Sequence, residues 1–287
     1  MTSIGYALTK TASPTIASGT SLSTQVPAST GTQTVYLTAY GSDGATCTAS
    51  VAVDVTDSTS PVNSLIPSDA VSVKFIEQLS NWAEQHDPAT GATSSGAMNM
   101  VSSPALSGNA REFNTTFSGS GGEIYHVSWG ADETSTNFFY DGWVYLTSSA
   151  SNVANLEMDM NQVVSNGDTV IYGFQCDGYS GTWDYTENAG SPSSPSDHWV
   201  HSSAACDVRN WTKNAWHHIQ ISYSRDDSGN VTYNSVWLDG TESPINKTVP
   251  SAFALGWGSV LLTNFQIDGL GSGSNTVYLN ELTISRW

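Results

Sequence analysis

The sequence predicts an all-β protein: an antiparallel double-sheet sandwich with a small β-module at its N-terminus. Three observations predict it. Short stretches alternate apolar and polar residues with period two, as half-buried strands do. Turns such as Asn166-Gly167-Asp168, Asp227-Ser228-Gly229-Asn230 and Asp239-Gly240 separate these stretches. No long helical pattern interrupts the series.

Taken in order, residues 1–57 read as part of a small β-sandwich. Thr34–Tyr40 alternates, Gly41-Ser42-Asp43-Gly44 turns, and Ala49–Val55 alternates again. This ending resembles the last two strands of immunoglobulin-like modules in secreted bacterial proteins. Such modules need ~100 residues, so this one reads as incomplete at its front and as a spacer. Residues 58–68, rich in Ser and Pro, read as a linker, and 69–287 as the main domain. Val73–Trp82 reads as a short helical turn or an edge strand, and Ala89–Gly96 as a loop. Strands then follow at Arg111–Phe117, Glu123–Trp129, Asn137–Leu146, Asn155–Gln162, Thr169–Asp177, Thr182–Tyr185, Trp216–Ser224, Thr232–Leu238, Leu261–Asp268 and Thr276–Ile284. About 219 residues (69–287) support a sizeable single core.

Composition narrows the function. The formal net charge is -18 with eight Lys plus Arg, too few for a basic track, so nucleic acid is not an expected partner. No apolar run reaches ~20 residues, so no membrane span is expected. No basic start leads into an apolar stretch, so no signal peptide is expected in these 287 residues. Low charge with ten Trp and abundant Ser, Thr, Asn, Gly and Tyr is typical of secreted bacterial β-proteins that meet polysaccharide. Of three cysteines, Cys176 and Cys206 flank a loop-rich stretch and can pair in an oxidising compartment. Cys47 is left alone and reads as a small buried hydrophobe.

The chemistry centres on Asn155–Gln162. Leu156, Met158 and Met160 point one way; Asn155, Glu157, Asp159 and Asn161 point the other. Two carboxylates flanked by amides, with no basic residue, can bond sugar hydroxyls, hold a hard cation or do acid-base work. Glu157 and Asp159, two residues apart, sit ~6.6 Å from each other along a strand. That is the lower edge of the ~6.5–9.5 Å window of inverting glycosidases. Like charges so close raise one pKa unless a cation sits between them.

Several phrases converge: Phe139-Tyr140-Asp141-Gly142-Trp143-Val144-Tyr145, Leu156–Gln162, Ala215-Trp216-His217-His218-Ile219-Gln220, Val236-Trp237-Leu238-Asp239-Gly240 and Asn264–Asp268. In this order they resemble the concanavalin A-like lectin/glucanase superfamily, most closely its laminin-G-like branch in secreted bacterial proteins. The resemblance covers residues 70–287 and implies a jelly roll. It does not choose between lectins, binding modules, hydrolases, lyases and adhesion domains. Hydrolases of this fold carry Glu-x-Asp-x-Glu or Glu-x-Asp-x-x-Glu; Glu157 and Asp159 match, but Asn161 or Gln162 stands third and neither can cycle a proton. Legume-type lectins carry a metal-binding Glu-x-Asp strand, and the metal loop that should follow has no clear match.

Strand parity sketches a surface. Asp141, Trp143 and Tyr145 share a face, as do Glu157, Asp159 and Asn161, and as do Asn264, Gln266 and Asp268. His218 and Gln220 oppose His217, which reads as a satisfied core histidine. On one sheet these faces would make a groove, with Trp183, Tyr185 and Trp199 at its rim and Gln175 a further ligand-binding candidate. The first expectation is a secreted, monomeric carbohydrate-binding protein recognising a plant or microbial polysaccharide and requiring no cofactor. The second is a glycoside hydrolase or polysaccharide lyase, with Glu157 as nucleophile or base, Asp159 tuning it and Asp268 as acid. The third is an adhesion module with a protein ligand. The turn at Asp226–Asn230 offers donors for a structural Ca²⁺.

Overall fold

The structure is a computed structural model that describes residues 3–7, 15–18, 31–55 and 65–287. The chain divides into two compact units, Met1–Leu65 and Ile66–Trp287. In the first, β1 (Ser3–Ala7), β2 (Thr15–Ser18), β3 (Gly31–Tyr40) and β4 (Thr46–Val55) form an antiparallel sheet in the order β2-β1-β3-β4. The β3–β4 hairpin pairs from Gly31↔Val55 to Tyr40↔Thr46, and the Asp43 carboxylate accepts from the Ala45 amide in its turn. Cys47 is exposed on β4, which corrects the expectation of a buried residue. The predicted linker lies largely outside the described residues.

The second unit is an antiparallel β-sandwich. One sheet runs β18 (Thr241–Pro250), β17 (Asn230–Leu238), β16 (Ala215–Arg225), β10 (Asn137–Leu146), β21 (Gly273–Arg286), β8 (Ala110–Phe117) and β7 (Ser94–Val101), with β5 (Val71–Val73) also on β21. We call it the front sheet. The back sheet runs β15 (Asp197–Ala205), β14 (Thr182–Asn188), β13 (Phe174–Asp177), β11 (Val153–Val163), β20 (Leu261–Gly269), β9 (Gly122–Gly130) and β6 (Ala83–His86). There β12 (Thr169–Tyr172) pairs with β11 and with β19 (Ala252–Phe253).

The inner faces of the two sheets make one core. Phe113 of the front sheet lies 4.6 Å from Tyr125 and 5.1 Å from Phe265 of the back sheet, ring to ring. The Tyr223 hydroxyl donates to the Met158 carbonyl at 3.1 Å. Leu156, Met158 and Met160 point into this core, which fixes the register of β11: a one-residue slip would bury the carboxylates among aromatic rings instead. Glu77, in the turn after β5, is fully buried and accepts from the amides of Glu281 and Leu282, tying the turn to β21.

The strand pattern departs from the sequence reading where residues are small or polar. The expected loop at Ala89–Gly96 ends in β7, paired with β8 from Ser94↔Phe117 to Val101↔Ala110. Its smallness has a packing reason: a Cβ on Gly96 would stand 2.6 Å from the Tyr125 hydroxyl. Val73–Trp82 resolves into the end of β5 and a 3-10 turn, Ile76–Gln78. Thr169–Asp177 divides into β12 and β13 around Gly173. The polar strands β6, β15 and β18 carry no strict alternation of apolar residues and were not expected.

Cys176 and Cys206 form a disulfide. Cys176 pairs in register with Trp183, so both side chains point inward. Trp183 is 1 % exposed and stacks on Phe174 at 5.3 Å. This corrects its expected place on a groove rim; Tyr185, two residues on, is likewise a core residue.

Candidate functional site

The outer face of the back sheet carries the chemistry. Its neighbours in register form a row across five strands: His201, Asp184, Gln175, Glu157 and Gln266, with Ile124 and Gln85 continuing it onto β9 and β6. A second row is Asp177, Asn155, Asp268 and Gly122. A third is Asp159, Asn264 and His126. Continuous pairing from Asn155 to Gln162 leaves no bulge, so Asn161 faces outward and Gln162 inward, where it meets Tyr172 and Arg225. No third carboxyl comes from β11. It comes from Asp268 on β20.

Although they point away from the core, these carboxyls are shielded: Glu157 is 6 %, Asp159 8 % and Asp268 9 % exposed. Neighbouring strands and loops close round them. Tyr179 reaches from the β13–β14 turn to donate to the Gly269 carbonyl, and the segment around Asp87 folds over the other edge. The Gln266 amide nitrogen lies 2.8 Å from Glu157 Oε1, 3.0 Å from Asp268 Oδ1 and 3.2 Å from Asp87 Oδ2. It has two protons for three carboxyls. Glu157 and Asp268 thus share one donor, the Gln266 amide. Gly122 makes room: a Cβ there would collide with Asp268 Oδ1.

Among the described residues no Lys, Arg or His forms an ion pair with Glu157, Asp159 or Asp268. Burial therefore dominates. It pushes Asp268 up to about 6 and Asp159 up to about 7, although Asp159 accepts from the Phe174 amide at 3.0 Å and from Asn264. Glu157 is raised by burial first, then by Asp268, Asp159 and Asp87. All three carboxyls are thereby shifted toward their protonated forms, burial being the largest cause in each.

Asn161, Gln175, Asn264, Gln266 and Trp199 share this face with the three carboxyls, so these sequence candidates come together. Asp141, Trp143, Tyr145, His218 and Gln220 do not. They lie on the outer face of the front sheet, on the other side of the sandwich, because β10 and β16 pair there. The single groove expected from parity is thus corrected to two separate faces. The front group satisfies itself: Asp141 accepts from Gln220 at 2.7 Å, meets His218 Nε2 at 2.8 Å, and the Trp143 and His218 rings stack at 4.2 Å. His217 is buried between Asp239 and the Thr212 carbonyl.

Residues the sequence reading missed include Asp87, Asp177, Asp184, His201 and Trp257. Asp184 was legible in part, because it must oppose Trp183 once Cys176 is known to point inward. Asp87 sits in a loop and gives no periodic signal. Trp257 is an exposed ring in the loop leading into β20. Asp177, Asp184 and His201 each bring a donor atom within 4.8 Å of the others. In the Asp226–Asn230 turn, by contrast, the Asp226 carboxylate is engaged by Ser228 and Asn230.

No protein-family model matches the chain, and no curated protein matches it. Solved structures do overlap loosely. One, from a study of the promiscuous specificity of carbohydrate-binding modules of the β-sandwich superfamily, is 11 % identical, with a TM-score of 0.39 over 98 % of this chain and 83 % of that one. The carbohydrate esterase vb_24B_21 of the Shiga toxin-encoding bacteriophage phi24B is 13 % identical, with a TM-score of 0.42 over 76 % and 99 %. The CBM2 module of an evolved Dit from Lactobacillus casei BL23 phage J-1 is 10 % identical, with a TM-score of 0.42 over 75 % and 96 %. Overlaps this loose carry no argument about what this chain binds.

Proposed function

We propose that this protein binds a polysaccharide on the outer face of its back sheet. The observation that carries the reading is the shielded set of Glu157, Asp159 and Asp268 among amides, with no cationic side chain paired to them among the described residues. Such a surface offers sugar hydroxyls both donors and acceptors. Seven strands at ~4.8 Å make a face roughly 29 Å across, enough for several sugar units. Trp199, half-buried at the β15 edge, supplies an apolar ring against which a sugar can stack.

In this reading the second unit is a concanavalin A-like jelly roll of the laminin-G-like kind, and residues 1–57 belong to an immunoglobulin-like spacer. The disulfide supports a secreted protein working in an oxidising compartment. Affinity electrophoresis across β-glucans, xylan, mannan and pectin tests it. Retardation on at least one is expected, and mobility unchanged on all of them, for folded protein, contradicts it. Trp199→Ala should then weaken binding roughly two- to tenfold, the worth of one stacking contact. His218→Ala, on the front sheet, should leave affinity within about twofold, measured by calorimetry.

A second reading is favoured by one observation, the Gln266 amide nitrogen that holds Glu157 and Asp268 side by side. Two adjacent carboxyls, Glu157 as nucleophile or base and Asp268 as acid, are the pair that glycoside hydrolysis or lyase chemistry requires. Here Glu157→Gln should abolish product release from the retarding polysaccharide while binding persists. Equal turnover in that variant and the wild type excludes the role.

A further inference from the structure

We propose that Asp177, Asp184, His201 and Gln175 form a binding site for one divalent transition-metal cation, of the Zn²⁺ or Mn²⁺ type, at the β13–β15 end of the back-sheet face. Three independent elements bring the donors together. Asp177 ends β13, Asp184 lies on β14, and His201 pairs with Asp184 from β15. One donor atom from each lies within 4.8 Å of the other two, and His201 Nδ1 is 2.7 Å from Asp184 Oδ2. Ligands bonded at ~2.0–2.2 Å to one ion stand about 3 Å apart, so a small inward shift of side chains closes the set.

A second observation points to a missing ligand. Gln175 is buried, yet its Oε1 has no hydrogen-bond partner. Gln175 is directly paired in register with Asp184 and shares its face. A buried amide oxygen without a donor costs ~1–3 kcal/mol unless something satisfies it, and a cation does so. The other polar groups here look outward from the donors as a supporting shell. Thr182 Oγ1 donates to Asp184 Oδ1 at 2.6 Å, Ser180 Oγ donates to Asp184 Oδ2 at 3.1 Å, and the Tyr179 amide donates to Asp177 Oδ1 at 2.6 Å. Such contacts orient carboxylates for a metal. The nearby guanidinium of Arg209 is held in a two-point pair with Asp207.

The donor chemistry selects the ion. Ca²⁺ takes six to eight oxygens, whereas two carboxylates, one amide oxygen and an imidazole suit a four- to six-coordinate ion that accepts nitrogen. The His201 side chain is 64 % exposed and Asp184 is fully buried, so the ion has a fixed floor and a side open to solvent. That open side lies two strands, roughly 10 Å, from Glu157 in the same row. A bound cation would there add a ligand for a sugar hydroxyl or carboxylate. The site itself does not depend on the saccharide reading, because metal binding is measured without sugar.

The test is calorimetric titration of the EDTA-treated, dialysed full chain with ZnCl₂, MnCl₂ and CaCl₂ separately. One equivalent of Zn²⁺ or Mn²⁺ should bind at micromolar Kd or tighter, and more tightly than Ca²⁺. His201→Ala, at an exposed side chain, and Gln175→Leu should each weaken that binding at least tenfold with an unchanged circular dichroism spectrum. His198→Ala, whose ring lies outside the set, should bind like the wild type. Absence of stoichiometric binding, preference for Ca²⁺, or unchanged affinity in His201→Ala or Gln175→Leu overturns the proposal.

Discussion

Truncating both members of the central pair, as Glu157→Ala with Asp268→Ala, is expected to weaken polysaccharide binding about 10²–10³-fold. Each side chain offers a hydrogen bond worth ~1–3 kcal/mol depending on its charge, and each tenfold in affinity is ~1.4 kcal/mol. The loss is large because both groups are already desolvated in the free protein. A sugar hydroxyl meets them without first stripping water, so little of the bond's worth is cancelled. The double variant should still fold, since it removes two crowded acids that no basic side chain pairs with among the described residues. Calorimetry with the retarding polysaccharide reads the change. A loss under about threefold, in variant protein of native spectrum, would remove these residues from the site.

The second large effect is a fall in stability as pH rises. In an unfolded chain Asp titrates near ~3.9. In the folded protein Asp159 is pushed up to about 7 and Asp268 up to about 6, in both cases by burial first. The native state therefore holds more protons than the unfolded state between these values, and stability must fall as pH rises through them. The contribution is intact below about pH 4 and is lost by about pH 8. For Asp159 alone, the rise from its ordinary value to about 7 corresponds to roughly 4 kcal/mol as an upper figure. Asp159→Asn keeps an oxygen for the Phe174 amide but carries no charge. Denaturant unfolding in EDTA should show the wild type losing roughly 3 kcal/mol relative to the variant between pH 5 and pH 8. Parallel stabilities at both pH values would mean that Asp159 ionises at its ordinary value.

Much of the frame was legible because burial writes itself as period two. Asn137–Leu146 alternates Phe138, Tyr140, Val144 and Leu146 against Asp141, Trp143 and Tyr145, and the strand stands at those residues. Asn155–Gln162 is equally plain, and with it the outward aim of Glu157 and Asp159. What parity cannot supply is which sheet a strand joins. Asp141 and Glu157 both face outward, but from opposite sheets, because β10 pairs with β16 and β21 whereas β11 pairs with β13 and β20. Parity also fails without an anchor: Trp183 was set on a rim, yet its register with the disulfide-bonded Cys176 turns it inward and turns Asp184 out. Asp87 enters the cluster from a loop, by a tertiary contact with Gln266 that no local pattern encodes. Strand β7 was missed because its small residues are demanded by Tyr125, which comes from the facing sheet.

The measurement that tests the central claim most directly is a parallel calorimetric titration of one polysaccharide into three proteins: the wild type, the Glu157→Ala/Asp268→Ala variant and His218→Ala. Binding by the wild type and His218→Ala, with loss in the double variant, is the result that places the saccharide on the back sheet. Binding kept in the double variant and lost in His218→Ala would contradict it and move the site to the face of Asp141, Trp143 and Gln220.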